Sequence, residues 1–337
     1  MMTSGKTALV VSGGGAKGAF AVGVVKQLFS SYRHTGWFRI TGGTSTGAII
    51  APMAALMGAQ SPVAEQALNT LVHLYSNVTT PDILERQEIF EFLRRRDCLN
   101  ETDPLNDLLH RHLTQAWFDW LQGPQAPHCY VVYTNYQTGQ KVVVSPKDDG
   151  MTRERFIQAM LASASVPVVM EAAVIDGAAC YDGGVRDLLP FGEAIKLGAE
   201  TIVPVFLSPE RYAKTTRRFS SIDKILLKTL DILVDEAERN DFEMASLINI
   251  AIRARREILS VLENHAEARQ KVEDTLHRPE FQDLFGPEKR LINIITGLRP
   301  DGPLTEDSLT FEPTKMRMWM DWGEQKAREV IKESPFA

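Results

Sequence analysis

The 337-residue chain is poor in cysteine, having only Cys98, Cys129 and Cys180. An odd number without paired spacing supplies neither a disulfide framework nor a zinc ligand set, which points to a reducing compartment. No apolar run reaches the roughly eighteen residues that a membrane span requires. The apolar run at residues 8–12 breaks at three glycines instead of extending into the hydrophobic region of a signal peptide. The expectation is a cytoplasmic protein that touches membranes peripherally if at all. A basic excess is missing too: the net charge is −6, which argues against nucleic acid as the main partner. Internal repeats and low-complexity segments are absent, and 44% hydrophobic with 24% charged residues is an ordinary globular composition.

Residues 1–64 lack acid altogether. They hold Lys6, Lys17, Lys26, Arg33 and Arg39, and the first carboxylate is Glu65. The segment carries +5, leaving −11 for the remainder of the chain. Two readings stay open: a positive surface that favours an anionic substrate such as a phospholipid, or a glycine-rich core segment with few charges of either sign.

Two stretches stand out against this background. Residues 13–18 read Gly13-Gly14-Gly15-Ala16-Lys17-Gly18, and residues 43–47 read Gly43-Thr44-Ser45-Thr46-Gly47. The first follows an apolar β-branched run (TALVVS, residues 7–12) and precedes a segment with helical spacing at Phe20, Val24, Val25 and Leu28. The second lies between a short strand candidate at 38–41 and an Ala/Ile/Met-rich helix at 46–57 that contains Pro52. Both are therefore strand-turn-helix units. Farther on, helices are expected within 61–125, strands at 129–135 and 141–145, a helix at 153–163, and one strand at 174–181 leading to Asp182-Gly183-Gly184. A buried strand at 201–207 contains Pro204, which suits an edge or a bulge. A long helical stretch at 220–277 precedes a return to strand character at 291–295. Alternating strands and helices up to about residue 210 indicate an α/β layered fold.

The chemistry follows from these placements. Gly13, Gly15 and Gly18 satisfy the dinucleotide pattern, but no acidic residue stands about twenty positions on, and Lys17 is followed by Gly18 where a phosphate-loop motif has Ser or Thr. A cradle of backbone N–H groups suited to an oxyanion or a phosphate explains the glycines better. The serine between Gly43 and Gly47 occupies the turn that exposes a nucleophile. An α/β-hydrolase would place it after more strands and supply a late histidine, whereas His265 and His277 lie in or beside polar helical sequence. Asp182 ends a strand, and a turn-capping role is the plainer reading of an Asp-Gly pair taken alone.

Taken in order and spacing, the three motifs resemble the patatin-like phospholipase family, with a small-residue block at 162–167 (ASASVP) ahead of the third. The resemblance covers about 5–210, and weakly 309–311 and 323–327. It implies a three-layer patatin-like α/β fold with a central, mainly parallel sheet flanked by helices and a C-terminal helical insertion. The corresponding domains are a catalytic core at 5–210, a helical insertion at 211–288, and a returning strand and closing helix at 289–337. It implies a lipid acyl hydrolase of phospholipase A or lysophospholipase type, acting on a lipid acyl ester without metal or organic cofactor. Ser45 is then the nucleophile and Asp182 its base, while Gly13, Gly14, Gly15 and Gly18 form the oxyanion loop with Lys17 beside it. Gly43 and Gly47 make room for the nucleophile turn, and Gly183 and Gly184 for the Asp-Gly-Gly turn. Arg186 and Asp187 stand where many members have an asparagine, a departure that touches substrate contacts and not the dyad.

Two other functions stay open at this stage: a nucleotide-binding protein built on residues 13–18, and a lipid-binding regulatory module with little turnover. No oligomeric state is implied. Trp117, Phe118 and Trp120, the triple arginine at 94–96, and the Met/Trp cluster at 316–322 each read first as core rim, solvated face and helix packing. The stripe of Met244, Ile248, Ala251, Ile252, Leu259 and Leu262, interrupted by Arg253, Arg255 and Arg256, packs on the core by default, with a membrane or partner surface as the alternative.

Overall fold

The computed structural model describes residues 6–34, 37–58, 60–86, 98, 100–210, 222–285, 289–305 and 307–333. The arginines at 94–96 lie outside the described residues. The glycine loop lies between β1 (Lys6–Val11) and α1 (Gly18–Tyr32), and Ser45 between β2 (Ile40–Thr44) and α2 (Thr46–Leu56). Next come α3 (Ala64–Asn77), a small ribbon of β3 (Glu85–Arg86) and β4 (Asn100–Glu101), then α4 (Asp103–His112) and α5 (Gln115–Gln122). The middle of the chain supplies β5 (His128–Asn135), β6 (Gln140–Val144), α6 (Arg153–Ala164), β7 (Ala173–Ile175) and β8 (Ala178–Asp182). After α7 (Phe191–Lys196) and β9 (Ala199–Val205) run the 40-residue α8 (Ile222–Val261), α9 (Ala266–Leu276) and α10 (Gln282–Phe285), and then β10 (Asn293–Ile294) and α11 (Pro313–Glu333).

The sheet order is β10-β9-β1-β2-β5-β8-β7, with β6 also paired to β5. From β10 to β5 all neighbours are parallel, and β6, β8 and β7 are antiparallel. Side chains alternate between two cores, as strand geometry requires. Leu9, Val11, Val131 and Val203 face one core with α1, α2, α6 and α11; Ala8, Val10, Val132 and Ile202 face the other, with α7 and with Phe242 and Ala245 of α8. The architecture is thus the three-layer α/β arrangement, with the sheet buried on both faces.

Two details depart from the sequence reading. The single strand expected at 174–181 is a hairpin of β7 and β8, because Asp176 and Gly177 both take positive φ (+53° and +78°), as a two-residue primed turn requires. The second strand does not stop at Thr41 but continues through Gly42 and Gly43 to Thr44. Pro204 is accommodated because β10 pairs only with Thr201 and Ile202, so the outer side of β9 beyond them has no strand partner among the described residues.

The apolar clusters resolve into packing and exposed flanks. Phe118, Met316, Trp319 and Met320 are buried, whereas Met318 and Trp322 are exposed. In α8, Ile252 is buried and Met244 is exposed, while Arg255 turns back to the Phe285 carbonyl and to His277. Helices α1 and α11 cross very closely. A Cβ on Gly23 would run into the Met320 carbonyl, and one on Gly323 into the Phe20 carbonyl. Gly-to-Ala changes inside helices ordinarily stabilise by up to about 1 kcal/mol. At Gly323 the sign should reverse, because backbone cannot yield as a side chain can. Gly323→Ala is expected to destabilise by roughly 1–3 kcal/mol, read as a fall in melting temperature, while Gly192→Ala in α7, where nothing lies within 4 Å, leaves it unchanged or higher.

Candidate active site

The register of β5 determines what can meet. Its residues Val131 and Val132 pair with β2 on one edge and with β6 on the other. Tyr133, Thr134 and Asn135 pair with β6 and also with β8, so β8 must occupy the same edge as β2. Strand β2 runs parallel to β5 and ends with Thr44 opposite Val132; β8 runs antiparallel and ends with Asp182 opposite Tyr133. The two strands thus arrive nose to nose at consecutive rungs, and the residues leaving them are Ser45 and Asp182.

Ser45 takes φ +58° and ψ −125°, a conformation that side chains other than glycine avoid. The turn is held from outside. Its amide donates to the Ser163 hydroxyl at 2.9 Å, and that hydroxyl donates to the Val132 carbonyl. A Cβ on Gly43 would meet the Gly47 backbone, and one on Gly47 the Val11 carbonyl, so these two positions admit nothing larger. Ser45 is also the N-cap of α2, so the positive end of that helix faces it.

Asp182 is 7% exposed. Its Oδ1 accepts the Gly184 amide at 2.7 Å, its own amide donates to the Ser165 carbonyl at 2.8 Å, and its carbonyl accepts the Thr134 hydroxyl at 3.1 Å. Burial raises its pKa to about 6, against a hydrogen bond from the Ser45 hydroxyl and the Gly184 bond, which pull it down. Gly183 lies against the Val132 carbonyl, and the following loop is tied back by the Thr44 hydroxyl, which donates to the Asp187 carbonyl at 2.9 Å.

The glycine loop adjoins this pair. A Cβ on Gly13 would lie 2.9 Å from that of Ser45, and Gly18 has Thr46 and Tyr75 packed against it. The Ala16 amide is taken by the Ser308 carbonyl at 2.8 Å and the Lys17 amide by the Gly14 carbonyl at 3.1 Å. Among the described residues no backbone acceptor takes the Gly14 or Gly15 amide. Gly15 and Ser45 line one pocket whose other walls include Ile49, Leu74, Leu105, Met170, Leu309 and Phe311, and no charged side chain lines it. Asp182 is not among the lining residues.

Lys17 is not there either. It is 4% exposed, with Nζ 3.8 Å from Asp231 Oδ1 and 4.0 Å from Asp235 Oδ1, both on α8. Lys17 belongs to the glycine loop, as the sequence places it, and its charge faces Asp231 and Asp235 inside the protein and not the pocket. Ser163, Ser165 and Ser308 were not among the expected site residues. The first two lie in the small-residue block at 162–167, whose composition signals close packing without saying what each hydroxyl or carbonyl holds. Among the described residues no group of three or more His, Cys, Asp or Glu side chains is placed to bind a metal, and no helix is long and apolar enough to cross a membrane.

Residues 9–195 match the family model described as patatin-like phospholipase, more than half of the chain, and the matched span contains all three motifs. The chain belongs to the patatin-like phospholipase family, a family of lipid hydrolases. Its structure is also similar to the crystal structure of VipD from Legionella pneumophila, at 13% sequence identity and a TM-score of 0.48, over 98% of this chain and 67% of that one.

The buried carboxylate carries a pH signature. Its folded pKa of about 6 exceeds the ordinary 3.8, so folding is opposed by the charged form, and stability is lost as pH rises through that window. The full cost, at most about 3 kcal/mol, applies above it. Asp182→Asn is therefore expected to melt higher than the wild type at pH 8, and the difference should vanish as pH falls below about 4. Thermal unfolding at the two pH values checks this.

Proposed function

We propose that the chain is a serine carboxylic-ester hydrolase in which Ser45 is the nucleophile, Asp182 its base and the Gly14 and Gly15 amides the oxyanion hole. The observation that carries the reading is the meeting of β2 and β8 on one edge of β5, which sets a strained serine against a buried carboxylate of raised pKa. Serine is a weak nucleophile without a base in reach. Asp182 takes the hydroxyl proton as Ser45 Oγ bonds to the ester carbonyl, and returns it to the departing alcohol as the acyl–oxygen bond breaks. Water, deprotonated by the same carboxylate, then releases the acid and restores Ser45. A carboxylate with a pKa near 6 is a modest base, so most of the barrier falls to the two free amides and the α2 N-terminus, aimed where negative charge develops.

The pocket supports a lipid acyl chain as the group handed to Ser45. Its walls are apolar and uncharged, so it favours burial of hydrocarbon and penalises a charged headgroup. A nucleotide reading of residues 13–18 draws less support, since the Ser308 carbonyl already covers the Ala16 amide that a phosphate would need. A carrier without turnover would need the pocket but not the strain at Ser45.

Ser45→Ala is expected to lower ester turnover by roughly three orders of magnitude or more and to abolish labelling by a fluorophosphonate. Turnover within a few-fold of wild type would remove Ser45 as nucleophile. In the wild type, kcat/KM for a soluble short-chain ester should fall as pH drops through about 6, because the base must be deprotonated. A profile flat from pH 5 to 8 would assign the base elsewhere.

A further inference from the structure

Helix α8 presents Asp231, Asp235, Glu238 and Asp241 at intervals of four, three and three, which places them on one face. Each reaches a segment that borders the site. Asp241 Oδ2 accepts the Leu188 and Leu189 amides at 3.0 Å each, in the loop that follows Asp182. Glu238, 3% exposed, accepts the Leu207 amide at 3.0 Å, just after β9. Asp235 takes the Ser208 hydroxyl and lies 4.0 Å from Lys17 Nζ.

Asp231 has the most consequential pair of partners. Its Oδ1 accepts the Ser308 hydroxyl at 2.9 Å and lies 3.8 Å from Lys17 Nζ. Ser308 is the residue whose carbonyl holds the Ala16 amide and presses on Gly15 so closely that a Cβ there would collide with it. One carboxylate, 7% exposed, therefore holds both the clamp on the loop and the loop's own lysine. The circuit runs from Asp231 through Ser308 to Ala16, and from Lys17 back to Asp231. It encloses the turn in which the Gly14 and Gly15 amides have no backbone acceptor among the described residues. Asp231 and Ser308 both lie outside residues 9–195, the part of the chain that the family model covers.

We infer that Asp231, acting through Ser308 and Lys17, is a positioning residue for the oxyanion loop, an inference that rests on the reading of Gly14 and Gly15 as oxyanion donors. The donors act on charge that exists only in the transition state, so a tilted loop lowers kcat and leaves KM nearly unchanged. Losing one oxyanion donor outright typically costs about 100- to 1,000-fold. A displaced loop that keeps both donors should cost less, roughly 10- to 100-fold.

The test uses the full chain and four variants, Asp231→Asn, Ser308→Ala, the double variant of these two, and Ser45→Ala, with turnover of a soluble short-chain ester. For the wild type and the variants that keep Ser45, kcat is divided by the number of sites that a fluorophosphonate labels at completion, which removes any unfolded fraction; Ser45→Ala is read as turnover per milligram. The expected result is a kcat per labelled site at least about fivefold below wild type in both Asp231→Asn and Ser308→Ala, with KM within about twofold. The double variant should be no slower than the slower single one. A merely structural role would lower the melting temperature and the labelled fraction but leave kcat per labelled site at wild type; that result in either variant overturns the inference. If Asp231→Asn does not fold, Ser308→Ala decides alone. Turnover that survives Ser45→Ala would instead overturn the dyad, and this inference with it.

Discussion

The edge of β5 between Val132 and Tyr133 is the constraint on which the site depends. A parallel strand arriving from one end and an antiparallel strand from the other can share an edge only if both stop: β2 stops at Thr44, just before Ser45, and β8 at Asp182. The Val132 carbonyl at the junction takes the Ser163 hydroxyl and packs against Gly183. One backbone group thus sets the height of the serine turn and of the Asp-Gly-Gly turn together. Moving β8 by one residue would send Asp182 to the other face of the sheet, since side chains alternate along a strand. The antiparallel β7–β8 hairpin, set beside strands that are parallel from β10 to β5, is what turns the carboxylate toward the serine.

Holding this arrangement opposes stability in two places. A non-glycine residue in the conformation of Ser45 costs on the order of 1–3 kcal/mol, and a carboxylate buried until its pKa reaches about 6 costs a comparable amount at neutral pH. Both costs are local, and the compensation is distributed. Ser163 and Ser165 hold the two turns from α6 and its C-terminal end, glycines let backbones touch, and two cores cover the sheet on both faces.

What could be read from the sequence was whatever a few neighbouring residues impose. The two strand-turn-helix units, the order of the three motifs and the α/β layering are local patterns, and the structure places their residues at adjoining strand ends. The Asp176-Gly177 turn was equally local and its dipeptide was a fair hairpin signal, but the short, mixed strands around it read as one. The acids of α8 belong to another kind of information. On a helix, carboxylates at such intervals look like an ordinary polar face, and only the approach of Lys17, some two hundred residues earlier, and Ser308, some eighty later, distinguishes them. Nothing in local spacing encodes a contact of that length.

The acid-free first 64 residues show the same limit in a way that bears on substrate choice. Four of their five cations are engaged within the molecule. Lys6 donates to the Leu197 carbonyl, Lys17 faces Asp231 and Asp235, Lys26 pairs with Glu324, and Arg33 pairs with Glu65. Much of the uneven charge along the sequence is thus answered by acids distant in the chain, Lys17 by Asp231 and Asp235, Lys26 by Glu324 and Arg33 by Glu65. The exposed pairs contribute little to stability, whereas the buried Lys17 pair would leave a carboxylate stranded in the interior if it were broken. With that charge withdrawn, the pocket that Ser45 lines offers a ligand shape and apolar area and no charged side chain. On the proposed reading of Ser45 as nucleophile, a substrate would be recognised by the hydrocarbon on its acyl side, and contacts with its headgroup would come from outside the pocket that Gly15 and Ser45 share.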